Sequence, residues 1–257
     1  MCLFNMNQVK TYWNNQPCNI NHSKKKYLSK EYFNEVEEKK YYVEHYIPIF
    51  ADFPKYKNKH VLEVGCGIGT DAVNFARNSC NYTGIELSDK SLEITKERFK
   101  VFNLNGTFYN TNFEDDISFL GDQKYDLIYS FGVIHHSKYP NKIIENCYKL
   151  LKPGGELKIM LYSKNSIKNF LILNNGAQFE AQKNCPHADT YNIDEINELL
   201  VKFKNIQIKQ GHIFPYKIPE YKKNIYIKED WIITMPDGLF EYLETQLGWH
   251  YYIKAIK

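Results

Sequence analysis

The residues of this chain best equipped for chemistry are two carboxylates set against a run of glycines. Glu63 lies near the end of an apolar run, His60-Val61-Leu62-Glu63-Val64, and three alternating glycines follow in Gly65-Cys66-Gly67-Ile68-Gly69. The run fits a buried parallel strand, and Thr70-Asp71-Ala72-Val73-Asn74-Phe75-Ala76-Arg77 after it has the periodicity of a helix. Strand, tight turn and helix in that order make a seat for a small polar ligand. Glycines let the backbone turn and come close to the ligand, and the helix start offers unpaired N–H groups. Glu63, two residues ahead of the first glycine, would aim its carboxylate at a cationic amine rather than at a phosphate. A second acid, Glu86, ends the next apolar segment, Tyr82-Thr83-Gly84-Ile85-Glu86, 21 residues past Gly65. That is about the offset at which an acid grips a ribose diol in doubly wound folds.

The stretch Val61-Leu62-Glu63-Val64-Gly65-Cys66-Gly67-Ile68-Gly69 resembles the signature motif of class I S-adenosylmethionine-dependent methyltransferases, and Leu150-Leu151-Lys152-Pro153-Gly154-Gly155 resembles their second landmark, the turn before the fifth strand. With Tyr125-Asp126-Leu127-Ile128-Tyr129-Ser130 and Val133-Ile134-His135-His136, the similarity covers about residues 58 to 162. It implies S-adenosyl-L-methionine as cofactor, with Gly65, Gly67 and Gly69 facing its methionine part, Cys66, Thr70 and Asp71 in the same turn, and Glu63 near its ammonium. Glu86 is implied on the ribose hydroxyls and Leu87 against the adenine. Asn112 stands where relatives commonly carry an Asp on the adenine amino group, and Phe113 offers its backbone N–H. Ser130, Phe131 and Gly132 are expected along the methionine end.

Methyl transfer from a sulfonium is a single in-line displacement, so binding groups should outnumber proton-transfer groups. His135 or His136, past the carboxyl end of the fourth strand, is the candidate base or substrate orienter, against the plainer reading of a histidine that bonds a loop. The resemblance also implies that a segment ahead of the first strand lies over the cofactor's open edge, which would make Tyr12, Trp13, Gln16 and His22 part of a lid rather than a surface strap. Farther on, His187, Tyr191, His212, Tyr216 and Tyr221 concentrate in two insertions and are expected to supply the substrate pocket. His187 and His212 lack a third ligand of recognisable spacing, so no metal is expected.

The elements that must position these groups alternate strand and helix, which argues an α/β fold with a parallel sheet. Strands are expected near 60–64, 82–86, 107–109, 125–130, 156–162, 206–211 and 249–256, and helices near 70–78, 89–102, 140–151, 194–203 and 236–247. The resemblance implies a Rossmann-like seven-stranded sheet, mostly parallel with an antiparallel final strand, helices on both faces, and cap insertions. Residues 1–57 form an N-terminal arm, loose to about Lys10, with a helix capped by Ser29 and running to about Tyr46. Residues 58–257 form the methyltransferase domain, with lid insertions at about 163–190 and 212–247.

With 33 basic and 30 acidic residues in 257, a formal net charge of +3 demands neither nucleic acid nor an acidic membrane as partner. Six scattered cysteines without metal-ligand spacing fit reduced thiols and a cytoplasmic setting. No apolar run approaches the ~18 residues that would span a membrane. The resulting expectation is methyl transfer to a small-molecule acceptor at O, N or S. The alternatives are an RNA or protein methyltransferase, a dinucleotide oxidoreductase, or a binding protein without turnover. Against the oxidoreductase stand G-x-G-x-G in place of G-x-G-x-x-G, and Glu63, which would repel a pyrophosphate.

Overall fold

The computed structural model describes residues 6–174, 185–236 and 238–257. Seven strands, β1 (His60–Val64), β2 (Asn81–Glu86), β3 (Thr107–Asn110), β4 (Tyr125–Phe131), β5 (Leu151–Tyr162), β6 (Lys204–Gly211) and β7 (His250–Ile256), form one sheet of order β3-β2-β1-β4-β5-β7-β6. The first five are parallel, and β7 runs antiparallel to both β5 and β6. Helices α1 (Met6–Asn15), α2 (Lys30–Val43) and α3 (Tyr46–Ala51) precede the sheet. Three more, α4 (Thr70–Arg77), α5 (Asp89–Val101) and α6 (Pro140–Leu150), connect its parallel strands. After β5 come α7 (Ile167–Leu173), α8 (Ile193–Leu199), α9 (Ile218–Tyr221), α10 (Asp230–Ile233) and α11 (Leu239–Leu247).

Strands apolar on both faces need cover on both sides. Leu62, Ile128, Leu157 and Ile159 face a cluster that includes Ile143 and Cys147 of α6 and Ile196 of α8, while Val61, Leu127 and Tyr129 face one with Ala72, Val73 and Phe75 of α4. Strand order reverses between β1 and β4, so the carboxyl ends of β1, β2 and β4 open a crevice there, the usual ligand position in such sheets.

The N-terminal arm departs from expectation. The tail expected to be loose to Lys10 is helix α1 from Met6 onward, tied to the start of α5: Lys10 Nζ lies 2.9 Å from Asp89, and the Ser88 hydroxyl donates to Asn14 Oδ1 at 2.8 Å. Only Val9 of this helix is buried. Tertiary tethers therefore set it, and the sequence carried little apolar period to reveal it. Met1 to Asn5 lie outside the described residues. Ser29 caps α2 as expected, accepting from Tyr32 N at 3.1 Å. The helix ends at Val43, and α3 is a separate turn across Pro48. Residues 175–184 of the first insertion also lie outside the described residues.

A buried arginine locks α2 onto the sheet. Arg98 of α5 donates to Thr70 Oγ1 at 2.7 Å, the Phe33 carbonyl at 3.1 Å and Glu37 at 3.0 Å. A guanidinium with three acceptors on two other helices fixes their relative placement, and so fixes what α2 presents to the crevice.

Candidate functional site

The glycine turn is held by the neighbouring strand: Gly65 N and Cys66 N both donate to the Ile85 carbonyl, at 2.7 and 3.2 Å. Gly65 and Gly67 differ in kind. A Cβ at Gly65 would sit 2.3 Å from Val133 Cγ2 at a φ of +78°, so only glycine fits against the loop after β4. A Cβ at Gly67 would meet no protein atom within 4 Å, so this glycine faces open space. The Gly67 N–H donates to Glu86 Oε2 at 2.7 Å, and Ser88 N–H donates to Oε1 at 2.8 Å. Burial pushes the Glu86 carboxyl up, while the N–H groups of Ser88, Gly67 and Leu87 pull it back. Each carboxylate oxygen still has acceptor capacity beyond one bond.

Glu63 is 3% exposed and accepts from the Tyr82 hydroxyl at 2.6 Å. Burial raises its proton affinity, and the Asp71 charge adds to the effect. Asp71 is a hub, accepting from Lys40 Nζ at 2.8 Å, Tyr41 Oη at 3.0 Å and Tyr129 Oη at 2.9 Å. Burial lowers the proton affinity of Lys40, but Asp71 and Glu44 outweigh it and leave the ammonium firmly charged.

A cavity of about 770 Å³ runs from this turn to the far side of the sheet. Of the cofactor residues expected from sequence, Glu63, Gly65, Cys66, Gly67, Thr70, Asp71, Glu86, Leu87, Asn112, Phe113, Phe131 and Gly132 line it. Gly69 and Ser130 stand behind the wall. Gly69 packs against Thr95, and the Ser130 hydroxyl is used on the Val64 carbonyl at 2.9 Å, stitching β4 to β1. The hydroxyl of Thr70 is occupied by Arg98, and Asn112 Oδ1 accepts from Glu114 N at 3.1 Å in an Asx turn.

Of the expected substrate residues, Trp13, His22, His212 and Tyr221 reach the cavity. Tyr12 turns its ring edge-on to Trp13, outside the cavity wall. His187 spends Nε2 on the Ser137 carbonyl and Asp189, each at 3.1 Å. Tyr191 is buried in the sheet core, and Tyr216 packs among Tyr42, Phe214, Tyr221 and Tyr226. None of these four lines the cavity: they serve packing and loop bonds, as an aromatic-rich chain must bury its own rings before it can present any to a ligand.

The two candidate bases separate as well. His135 is fully buried and lies flat on Tyr162 at 3.6 Å, and burial, then His136 and His187, drive its proton affinity well below the usual histidine range. His136 lines the cavity beside Trp13. Its Nδ1 lies 2.6 Å from the His187 carbonyl, which can only accept, so Nδ1 carries the proton and Nε2 keeps a lone pair. Burial lowers its pKa to about 4.

Several wall residues escaped the sequence reading: Lys40, Glu44, Met160, Tyr162, Trp249 and His250. Two left signals. Lys40 interrupts the apolar stripe Phe33, Val36, Val43 on α2, which is where a buried lysine with a partner would sit. His250 opens the antiparallel strand, paired with Tyr162 and Gly211, so the start of β7 lies beside the carboxyl ends of the other strands.

The sheet order and its crevice are those of the Rossmann-like fold typical of class I methyltransferases. Residues 62–157 match the family model described as "Methyltransferase domain". Among curated relatives, a ubiquinone biosynthesis O-methyltransferase of Coxiella burnetii is 31% identical over 123 residues, 48% of this chain and 51% of that protein. One of Erwinia tasmaniensis is 29% identical over 121 residues, 47% and 49% of the two chains. The chain thus spans about half the length of the curated relatives it matches. Among solved structures, magnesium protoporphyrin IX methyltransferase from Synechocystis PCC 6803 with bound SAH superposes with a TM-score of 0.62 at 12% identity, over 98% of this chain and 100% of that one. A SAM-dependent methyltransferase from Thermotoga maritima, described as a possible histamine N-methyltransferase, gives 0.57 at 17% identity, over 97% and 99%. At these identities the structures bear on the fold.

Proposed function

We propose that this chain transfers the methyl group of S-adenosyl-L-methionine to a small-molecule acceptor. The observation that carries the reading is the open face of Gly67 between two buried acids, Glu63 and Glu86. These residues fit the cofactor, since a ligand ammonium would relieve the raised proton affinity of Glu63 and a ribose diol would use the remaining acceptor capacity of Glu86. When bound, the cofactor supplies a sulfonium-activated methyl group, and the protein's task is to position and desolvate. Lys40, held on Asp71, offers a cation to the carboxylate of the same amino-acid end. Leu87, Asn112 and Phe113 flank the adenine end.

On the acceptor side, Phe131, Met160, Tyr162 and Trp249 give an apolar wall, with the last two rings stacked at 4.3 Å. That wall suits a small organic acceptor, in keeping with the names of the relatives. His136 holds an acceptor proton by hydrogen bond through Nε2 more readily than it removes one, given a pKa of about 4. Helix α1 and Trp13 close the cofactor's edge against water. Five free cysteines among the described residues support a reducing, cytoplasmic setting, and no described helix is long and apolar enough to cross a membrane.

Titration calorimetry with S-adenosylmethionine and S-adenosylhomocysteine tests the reading. Saturable one-to-one binding is expected, with proton release at neutral pH that disappears in Glu63→Gln, because the ligand ammonium lowers the proton affinity of Glu63. Absence of saturable binding by both ligands would defeat it.

A further inference from the structure

Three potential ligands from three separate elements meet on the acceptor side of the cavity: Glu44 just after α2, His212 just after β6, and His250 at the start of β7. One ligand atom of each lies within 4.8 Å of the others, both histidines are buried, and all three line the cavity. We propose that Glu44, His212 and His250 bind one first-row transition-metal dication, with its open positions turned toward the methyl acceptor. This rests on the methyltransferase reading only for what the ion does, not for whether it binds.

Two imidazoles and a carboxylate suit Zn²⁺, Fe²⁺ or Mn²⁺ better than Mg²⁺ or Ca²⁺, which favour all-oxygen sets. The backbone of His212 sits at a φ of +69°, in the left-handed region, and is held there on both sides. Trp249 N–H donates to the His212 carbonyl at 2.9 Å, and Ile213 N–H donates to the buried Glu244 carboxylate at 2.9 Å. A fold that fixes a buried histidine at a cavity wall, facing another histidine and an acid, has the form of a ligand set. The rings of His212 and His250 lie nearly parallel, 4.5 Å between centroids, so loading requires one ring to turn and the donors to close to ~3.0–3.4 Å apart, the spacing set by metal–donor bonds of ~2.0–2.2 Å.

The consequence for the reaction is a nucleophile made without a side-chain base, which His135 and His136 are poorly suited to be. A hydroxyl of the acceptor coordinated to the ion breaks its O–H bond at near-neutral pH, the proton passing to solvent water and the electron pair staying on oxygen. The acceptor class this favours is a hydroxylated organic molecule.

The test is competition titration of the metal-stripped chain with Zn²⁺ against a chromophoric chelator, alongside His250→Gln and Glu44→Gln. One equivalent of Zn²⁺ is expected, bound at least tenfold more weakly by each variant. No stoichiometric binding, or affinity in both variants unchanged from that of the unmodified chain, overturns the proposal. X-ray absorption at the zinc edge of the unmodified chain guards against misfolded variants. A shell of nitrogen and oxygen alone supports the site, whereas sulfur at ~2.3 Å assigns the ion to cysteine and overturns it. S-adenosylhomocysteine binding, measured on the same stripped protein, separates the two ideas. If it binds and Zn²⁺ does not, the metal site fails and the methyltransferase reading stands.

Discussion

The two ends of the cavity are built by different means. The end proposed for the cofactor comes from contiguous stretches at the carboxyl tips of β1, β2 and β4, where backbone N–H groups meet acids on adjacent strands. The acceptor end draws on residues as far apart in sequence as Glu44, Phe131, Met160, His212 and His250. A site made by one turn of chain keeps its geometry through local backbone constraints, whereas one assembled from five segments depends on how the arm and the C-terminal strands dock. The first should be intolerant of backbone change and the second of changes in charge and packing.

Gly65→Ala breaks the cofactor end most completely. The substitution meets both Val133 methyls, at 2.3 and 2.7 Å, in a left-handed conformation that by itself costs about 1–2 kcal/mol. Loss of measurable S-adenosylhomocysteine binding and a lowered melting temperature are expected, with partial recovery in Gly65→Ala/Val133→Ala. If the double variant recovers nothing, the clash is not the cause. Glu86→Gln comes next. Removing the charge from an acceptor of two backbone N–H groups and a ribose diol should cost about 1.5–3 kcal/mol, roughly 10- to 150-fold in cofactor affinity by calorimetry. Unchanged affinity would show that the diol is held elsewhere.

The same division explains what the sequence disclosed. The seven strands and the place of twelve expected residues on the cavity wall are legible because each depends on a local pattern: an apolar run, a glycine turn, an acid at a strand end, while the antiparallel last strand follows from the resemblance. Ser130 and Gly69 lie in those motifs and so carry the expectation of ligand contact, yet Val64 of β1 and Thr95 of α5 claim them. The acceptor end was hidden for a physical reason. Whether His187 or His250 faces the cavity depends on how an insertion packs against β7, and no local spacing encodes that. His187 went to loop bonds and His250 to the cavity wall. Helix α1 was missed on the same ground, its anchors being Asp89 and Ser88 far along the chain.

A pH scan sharpens the contrast at the level of stability. His136 and His22 each have a pKa lowered to about 4, chiefly by burial. Between the ordinary histidine value near 6.5 and about 4, the unfolded chain binds protons that the native state refuses. Stability should therefore be insensitive to these groups above about pH 6.5 and fall steadily as the pH drops toward 4. In His136→Gln the slope of melting temperature against pH over that window should flatten by about the share of one proton. An unaltered slope would mean that His136 titrates normally and is available as a base after all.

The smallest effect separates a lid from a strap. Trp13 meets His136 edge-on at 5.3 Å and Tyr12 at 5.0 Å, on a helix tethered to α5 through Lys10 and Asn14. Trp13→Ala removes aromatic contacts of about 0.5–1.5 kcal/mol, so the melting temperature should drop modestly while the tethers keep α1 in place. If the indole only packs the surface, that loss is the whole effect and kcat is unchanged. If it closes the cofactor's edge, water enters beside the sulfonium and kcat falls along with affinity, since the displacement depends on a desolvated nucleophile. A fall in kcat at saturating cofactor, beyond that modest loss of stability, is the expected result, and an unchanged kcat would reduce α1 to a strap.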